Sequence, residues 1–119
     1  MKMPPYVLQA FERALGDLQS DQPIDLQVVG LEGDLLVVRE AGEPDTTGLW
    51  IPPDAGFEEL VVAFADQLQE QVFPESRGAW GQARPPCPGH NHPARAELVG
   101  DQAMWVCPVS ELQLRRIGG

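Results

Sequence analysis

The sequence lacks any long apolar stretch, and basic residues are scarce in it. No apolar run approaches the about 20 residues that a membrane-spanning helix needs. Only 8 residues are lysine or arginine, against 18 acidic ones, so the formal net charge is −10. An acidic surface repels phosphate backbones and releases no counterions from them. The composition therefore speaks against a membrane-inserted protein and against nucleic acid as the partner.

A secretory signal is also missing from the first residues. Gln9, Glu12 and Arg13 interrupt the segment where a signal peptide carries its apolar core. We therefore expect a cytoplasmic protein, and the reducing cytoplasm disfavours a structural disulfide between the two cysteines, Cys87 and Cys107. The chain has 119 residues, of which 43% are hydrophobic, which suits one folded domain rather than two.

Apolar periodicity predicts an α+β fold in which two helices pack on a small antiparallel sheet. The first helix begins at Pro4-Pro5, and the second follows Asp54, whose carboxylate we expect to act as the N-cap. Between them the pattern predicts a β-hairpin that turns at residues 30–34 and a short strand at residues 49–51. The almost continuous apolar run over residues 35–39 predicts a central strand.

The composition changes near residue 75 and divides the chain into two parts. Residues 1–75 carry 15 acids and three bases, whereas residues 76–119 carry three acids and five bases. We assign residues 1–75 to the acidic α+β core. Residues 76–119 are expected to form a Pro/Gly-rich loop and a β-hairpin packed on the core as one domain. The glycines and prolines of residues 76–93 exclude a regular helix there.

All the cysteines and histidines of the chain lie between positions 87 and 107; they are Cys87, His90, His92 and Cys107. Zinc takes four Cys and His ligands in a tetrahedral site, and structural sites draw them from a tight turn and a nearby hairpin. The sequence therefore predicts a zinc-ribbon-like C-terminal element that binds Zn²⁺ through these four side chains. A disulfide, the absence of any cross-link, and a cysteine–histidine nucleophile stay open as alternatives.

The Cys-Pro pair at 87–88 and the His-Pro pair at 92–93, followed by Trp105 and the Cys-Pro pair at 107–108, resemble a known element. A group of small bacterial proteins without an assigned function shares a C-P-x-H-x-H-P sequence downstream of an acidic α+β segment. The resemblance covers most of the chain. It implies that the Cys/His cluster is a genuine unit, and it implies no activity.

These patterns favour a non-enzymatic interaction module whose metal-bound tail presents Trp80, Arg77 and Arg84 to a protein partner. One alternative is an enzyme in which three protein ligands hold zinc and leave a position for water. Another is an immunity-type inhibitor whose acidic face blocks a basic partner. The acids of the first helix and of the hairpin, and the pair Glu58 and Glu59, are expected on a solvated face.

Overall fold

The computed structural model describes residues 4–18, 25–72 and 93–118 and confirms the α+β class. The helices are α1 (Pro5–Gly16) and α2 (Phe57–Gln67), and α2 continues as a π-helical segment over Leu68–Val72. The strands of the described residues are β1 (Leu26–Glu32), β2 (Leu35–Glu40), β3 (Thr47–Trp50), β4 (Arg95–Val99), β5 (Gln102–Val106) and β6 (Gln113–Arg116). They form two antiparallel sheets, the core sheet β1-β2-β3 and the C-terminal sheet β4-β5-β6, which contains the expected hairpin and a third strand.

The first sheet has β2 in its middle, as the apolar run in that strand predicts. Leu31, Leu36 and Leu49 lie side by side across the three strands and belong to the core with the helices. Leu36 and Leu49 are fully buried. Successive strand side chains point to opposite sides of a sheet. The residues directly before and after these leucines in each strand therefore lie on the opposite face.

The first hairpin is tighter than the sequence suggests. β1 runs to Glu32, with a bulge just before Gly30, instead of turning over residues 30–34. The turn itself uses Gly33, whose φ is +57°. Because glycine reaches the left-handed region without a Cβ clash, the chain reverses in a two-residue turn.

The second sheet contains the hairpin expected near residues 96–107, closed by β6. Trp105 in β5 is fully buried. Ile117, just after β6, is also fully buried. The C-terminal sheet thus contributes large apolar side chains to the protein interior.

One apolar cluster joins both sheets and both helices. α2 is its centre, since it contacts α1, β3, β4 and β5. The division of the chain near residue 75 stays a prediction, but residues from both sides of it share this core. The largest fully buried core side chains are Val7, Leu18, Leu36, Val38, Leu49, Leu60, Val61, Phe64, Leu68, Trp105 and Ile117.

The start of α2 differs from the expectation. Its N-cap is Gly56 and not Asp54. Glycine has no side-chain oxygen that could accept a hydrogen bond from the first backbone N–H groups of the helix. Asp54 instead sits two residues upstream with φ +59°, a left-handed conformation that aspartate tolerates better than most residues. Glu58 and Glu59 supply negative charge in the first turn, where the helix dipole favours it.

No helix of the described segments is long and apolar enough to cross a membrane. The zinc-ribbon character of the C-terminal sheet stays a prediction, because Cys87, His90 and His92 lie outside the described residues.

The end of the described chain packs closely against α1. Gly118 has φ +73°, and a Cβ added there would lie 2.9 Å from Arg13 Cγ and 3.0 Å from the Arg13 carbonyl oxygen. A side chain at this position would push the C-terminal segment away from α1. Gly100, in the β4–β5 turn, has a similar φ of +61° but nothing within 4 Å of such a Cβ.

We predict that Gly118→Ala destabilises the protein more than Gly100→Ala. Both substitutions meet the left-handed backbone penalty of roughly 1–2 kcal/mol. Gly118→Ala adds about 1–3 kcal/mol for overpacking against Arg13. Urea unfolding of the two variants measures the difference, and equal losses of unfolding free energy would show that the close approach of Gly118 to Arg13 contributes nothing.

Candidate functional site

Of the metal-ligand and partner-contact candidates, the structure describes Cys107 alone. The other metal-ligand candidates and the three partner-contact candidates lie outside the described residues; they are Arg77, Trp80, Arg84, Cys87, His90 and His92. Their roles stay predictions. Within the described segments, no three Cys, His, Asp or Glu side chains are grouped as a metal site would require.

Cys107 follows β5 directly and is 1% exposed. The backbone N–H of Ser110 donates to its Sγ atom at 3.5 Å. Two further backbone bonds hold the turn: the N–H of Cys107 donates to Leu112 O at 2.9 Å, and the N–H of Glu111 donates to Cys107 O at 2.7 Å. These bonds fix the position of the Cys107 side chain at the end of β5.

Glu58 is the centre of an ion-pair network between the helices and the C-terminal sheet. Its carboxylate accepts from Arg13 Nη1 at 2.5 Å and Nη2 at 3.3 Å, and from the Ala103 N–H at 3.1 Å. Arg116 lies 3.6 Å away. The hydrogen bonds from Arg13 hold the pKa of Glu58 below its ordinary value, against the opposing effect of partial burial.

Arg13 connects this carboxylate to the end of the chain. Its Nη2 and Nε donate to the Ile117 carbonyl at 2.7 and 3.0 Å, and its guanidinium lies 5.6 Å from the centre of the Phe57 ring. One turn further along α1, Asp17 accepts from Trp105 Nε1 at 2.8 Å and from the Gly118 N–H at 2.6 Å. Two carboxylates and one guanidinium thereby join α1, α2 and the C-terminal sheet.

The hydrogen bonds and ion pairs of this network hold elements of the fold together. A carboxylate with a lowered pKa and several donors is a poor proton acceptor at neutral pH, so Glu58 is unsuited to general-base work. The expectation that Glu58 lies on a solvated face is wrong, since its side chain is 19% exposed and ion-paired. Glu59, its neighbour, is exposed as expected.

The outer face of the first sheet carries a different kind of surface. Antiparallel register places Glu32, Leu35 and Trp50 side by side, one on each strand. Leu35 and Trp50 are 38% and 50% exposed. The same register places Gly30 and Gly48 side by side with Val37 in the next row. We call the three residues Glu32, Leu35 and Trp50 the outer row.

A glutamine from α2 fixes the backbone of Trp50. Gln67 Oε1 accepts from the Trp50 N–H at 2.6 Å, and Gln67 Nε2 donates to the Trp50 carbonyl at 2.8 Å. The carboxamide thus pairs with Trp50 as a residue of a further strand would. Such pairing closes part of an exposed sheet edge, the kind of edge that invites uncontrolled association.

Charge is distributed unevenly around this sheet. Residues 25–72, all described, contain 11 acids and one base, Arg39. Most of the described bases outside this range, namely Arg13, Arg115 and Arg116, are within 4 Å of Glu58 or Asp17. The first sheet and α2 therefore present a negative field to solvent.

No protein-family model, curated protein or solved structure matches the chain. The resemblance of the Cys-Pro and His-Pro pairs to a bacterial group stays a prediction.

Sequence reasoning missed the outer row and its glutamine. The signal was present, because Leu35 and Trp50 each adjoin a core leucine in the sequence and must point the opposite way in a strand. The apolar run in β2 obscured that alternation. Nothing in the sequence indicates that Gln67 reaches the backbone of β3, since that contact depends on how α2 packs.

We predict that Glu58→Gln lowers the unfolding free energy at neutral pH by about 1–3 kcal/mol, because a partly buried, charge-assisted set of hydrogen bonds is lost. Glu58 has a lowered pKa in the folded state, so its contribution is complete above its ordinary pKa and is lost as pH falls through the lowered one. The gap between wild type and variant should therefore shrink on acidification.

Urea unfolding between about pH 7 and about pH 3 measures this effect. Glu59→Gln is the matched control, since Glu59 is the exposed neighbour and should cost less than about 0.5 kcal/mol. A gap between wild type and Glu58→Gln that stays constant over this range would contradict the assignment.

Proposed function

We propose that this chain is a non-enzymatic acidic module that binds a basic protein. The observation that carries the proposal is the exposed outer row, in which two apolar side chains stand beside a carboxylate. The surrounding segment, residues 25–72, contains 11 acids and one base. Exposed aromatic residues are typical anchors of protein interfaces. The acidic field supports a partner of opposite sign.

Two features favour a surface role over a chemical one. The half-buried carboxylates of Glu58 and Asp17 are occupied by arginines and backbone or indole N–H groups, which suits stability. The remaining acids of α2, such as Glu59 and Asp66, are exposed. A field of exposed carboxylates raises association rates with basic proteins and repels acidic ones.

An immunity-type inhibitor is the narrower form of this proposal. In that case the basic partner is a toxin or another nucleic-acid-binding protein, and the acidic face covers its phosphate-binding surface. The net charge of −10 supports this form as much as the general one. Nucleic acid itself is not the proposed ligand.

A structural Zn²⁺ bound by Cys87, His90, His92 and Cys107 is the second part of the proposal. It is supported by the clustering of these residues in the sequence and by the Ser110 N–H that points at the Cys107 sulfur. In the reducing cytoplasm, the compartment we propose, both thiols are available for metal. Four protein ligands would make the site a staple, whereas three ligands and a water would favour the alternative of a zinc enzyme.

We predict that binding to the natural partner depends on the charge of the first sheet and α2. Glu32→Lys/Asp66→Lys raises the net charge from −10 to −6 there, and Glu12→Lys/Asp101→Lys makes the same change elsewhere. All four residues are exposed. The partner is isolated from the source cell with immobilised wild-type chain, purified, and titrated into each form by calorimetry.

The first variant should weaken binding by about tenfold or more, since it replaces attraction by repulsion at the interface, and the second by about twofold. The partner should itself be basic. An acidic partner, or equal effects of the two variants, would contradict the proposed function.

We predict that the chain, purified without a histidine tag, contains one zinc per molecule and that Cys107→Ser and Cys87→Ser both abolish its retention. Elemental analysis gives the metal content, and X-ray absorption at the zinc edge gives the ligand set. Val106→Ala, at the buried residue beside Cys107, should keep the metal while costing some stability. Protein free of zinc in its reduced form would contradict the metal proposal and leave the interaction proposal standing.

A further inference from the structure

We infer that the outer row is the docking surface and that it takes a partner segment in which arginine alternates with aliphatic residues. This inference rests on the proposed function and specifies its interface. It commits to one face of one sheet and to one chemistry of partner.

The outer row has the dimensions of a small binding platform. Neighbouring strands lie about 4.8 Å apart, so Glu32, Leu35 and Trp50 span roughly 10 Å across three strands. One end of the row is a carboxylate and the other is an indole with half of its surface exposed. An extended partner segment that crosses the strands can therefore meet an acidic group and an apolar group in succession.

The apolar part of the outer row is held in place before any partner arrives. Gln67 bonds both backbone polar groups of Trp50. Leu35 rests over Gly48, where a Cβ would lie 3.0 Å from Leu35 Cδ1. Because these anchors are already ordered, little conformational entropy is lost when they are covered.

Two glycines lie beside the outer row. Gly30 and Gly48 occupy the next row of the sheet with Val37 between them, and the glycines place no side chain there. Leu35 rests over Gly48 and Val37 is only 7% exposed, so the apolar surface open to a partner on this face is that of Leu35 and Trp50. The aliphatic side chains of the partner pack on these two residues.

Arginine is the cation that suits the outer row. Its planar guanidinium stacks on an indole and also pairs with a carboxylate through two parallel hydrogen bonds, whereas lysine offers a point charge. Trp50 and Glu32 offer these two partners at opposite ends of the row. Arg39 lies on the same face, two residues beyond Val37, and repels a cation at that end of the sheet.

The chain supplies a matched control for this surface. Leu98 on β4 is 39% exposed, almost the same as Leu35, but it belongs to the other sheet. Its neighbours on the same face are Ala96 on β4 and Ala103 and Trp105 on β5, so no carboxylate stands beside it there. Leu35→Ser and Leu98→Ser therefore remove equal apolar surface from two different faces.

The test is an NMR titration of the ¹⁵N-labelled full chain with synthetic peptides. The probe is acetyl-Arg-Leu-Arg-Leu-Arg-Leu-amide, compared with peptides in which glutamate replaces arginine or glycine replaces leucine. The backbone amides of Glu32, Leu35 and Trp50 and the Trp50 indole should shift with the probe. The two comparison peptides should bind about tenfold or more weakly, because each lacks one half of the chemistry.

Trp50→Ser and Leu35→Ser should each weaken binding of the probe by about tenfold, and Leu98→Ser by less than about twofold. Unchanged urea midpoints confirm that the exposed substitutions leave the fold intact. Gln67→Ala is a second variant: it leaves the indole present but releases its backbone, and we expect a loss of about threefold to tenfold.

Two results would overturn the inference. One is a probe that leaves the signals of the outer row unmoved; the other is equal weakening by Leu35→Ser and Leu98→Ser. If either occurs while the natural partner still responds to Glu32→Lys/Asp66→Lys, the docking surface is wrong and the proposed function stands. A single-stranded oligonucleotide that shifts the same signals would overturn both.

Discussion

Arg13 lies where α1, α2 and the C-terminal end of the described chain meet. Its guanidinium donates hydrogen bonds to Glu58 on α2 and to the carbonyl of Ile117 near the C-terminal end. Each partner of Arg13 is itself constrained: Glu58 also accepts the Ala103 N–H, and Ile117 is fully buried in the shared core. The two sheets do not pair with each other, so this polar contact and the apolar face of α2 hold them in one structure. The position of α2, and with it Gln67, depends on this junction.

The same junction separates the acids of this protein into two kinds. Glu58 and Asp17 are held by nearby arginines and N–H groups, and they serve the fold. The exposed acids of residues 25–72 have a single base among them and face solvent. The partly buried carboxylates are paired with arginines, whereas most of the exposed carboxylates have no base near them in the sequence. This distribution suits the proposed binding of a basic protein, since exposed charges steer association without weakening the core.

Much of the fold could be predicted from local pattern. The first helix begins at Pro5 as expected, β2 is the central strand of its sheet, and a hairpin is present in the C-terminal part of the chain. The start of α2 was misplaced because Asp54 and Gly56 both suit a helix entry, and the conformation of the intervening residues decided between them. Of the candidate metal ligands, only Cys107 lies in the described residues, so the geometry of the metal site stays a prediction from the sequence.

The sequence by itself determined the α+β class, the central position of β2 and the excess of acidic charge, because each of these follows from residue type and short-range periodicity. Only the tertiary structure decided that Glu58 is paired while Glu59 is exposed, and that Gln67 fixes Trp50. The contact of Gln67 with Trp50 joins residues 17 positions apart, and that of Arg13 with Glu58 joins residues 45 positions apart. Local sequence pattern carries no information about such pairings, nor about which of two neighbouring glutamates on one helix is paired.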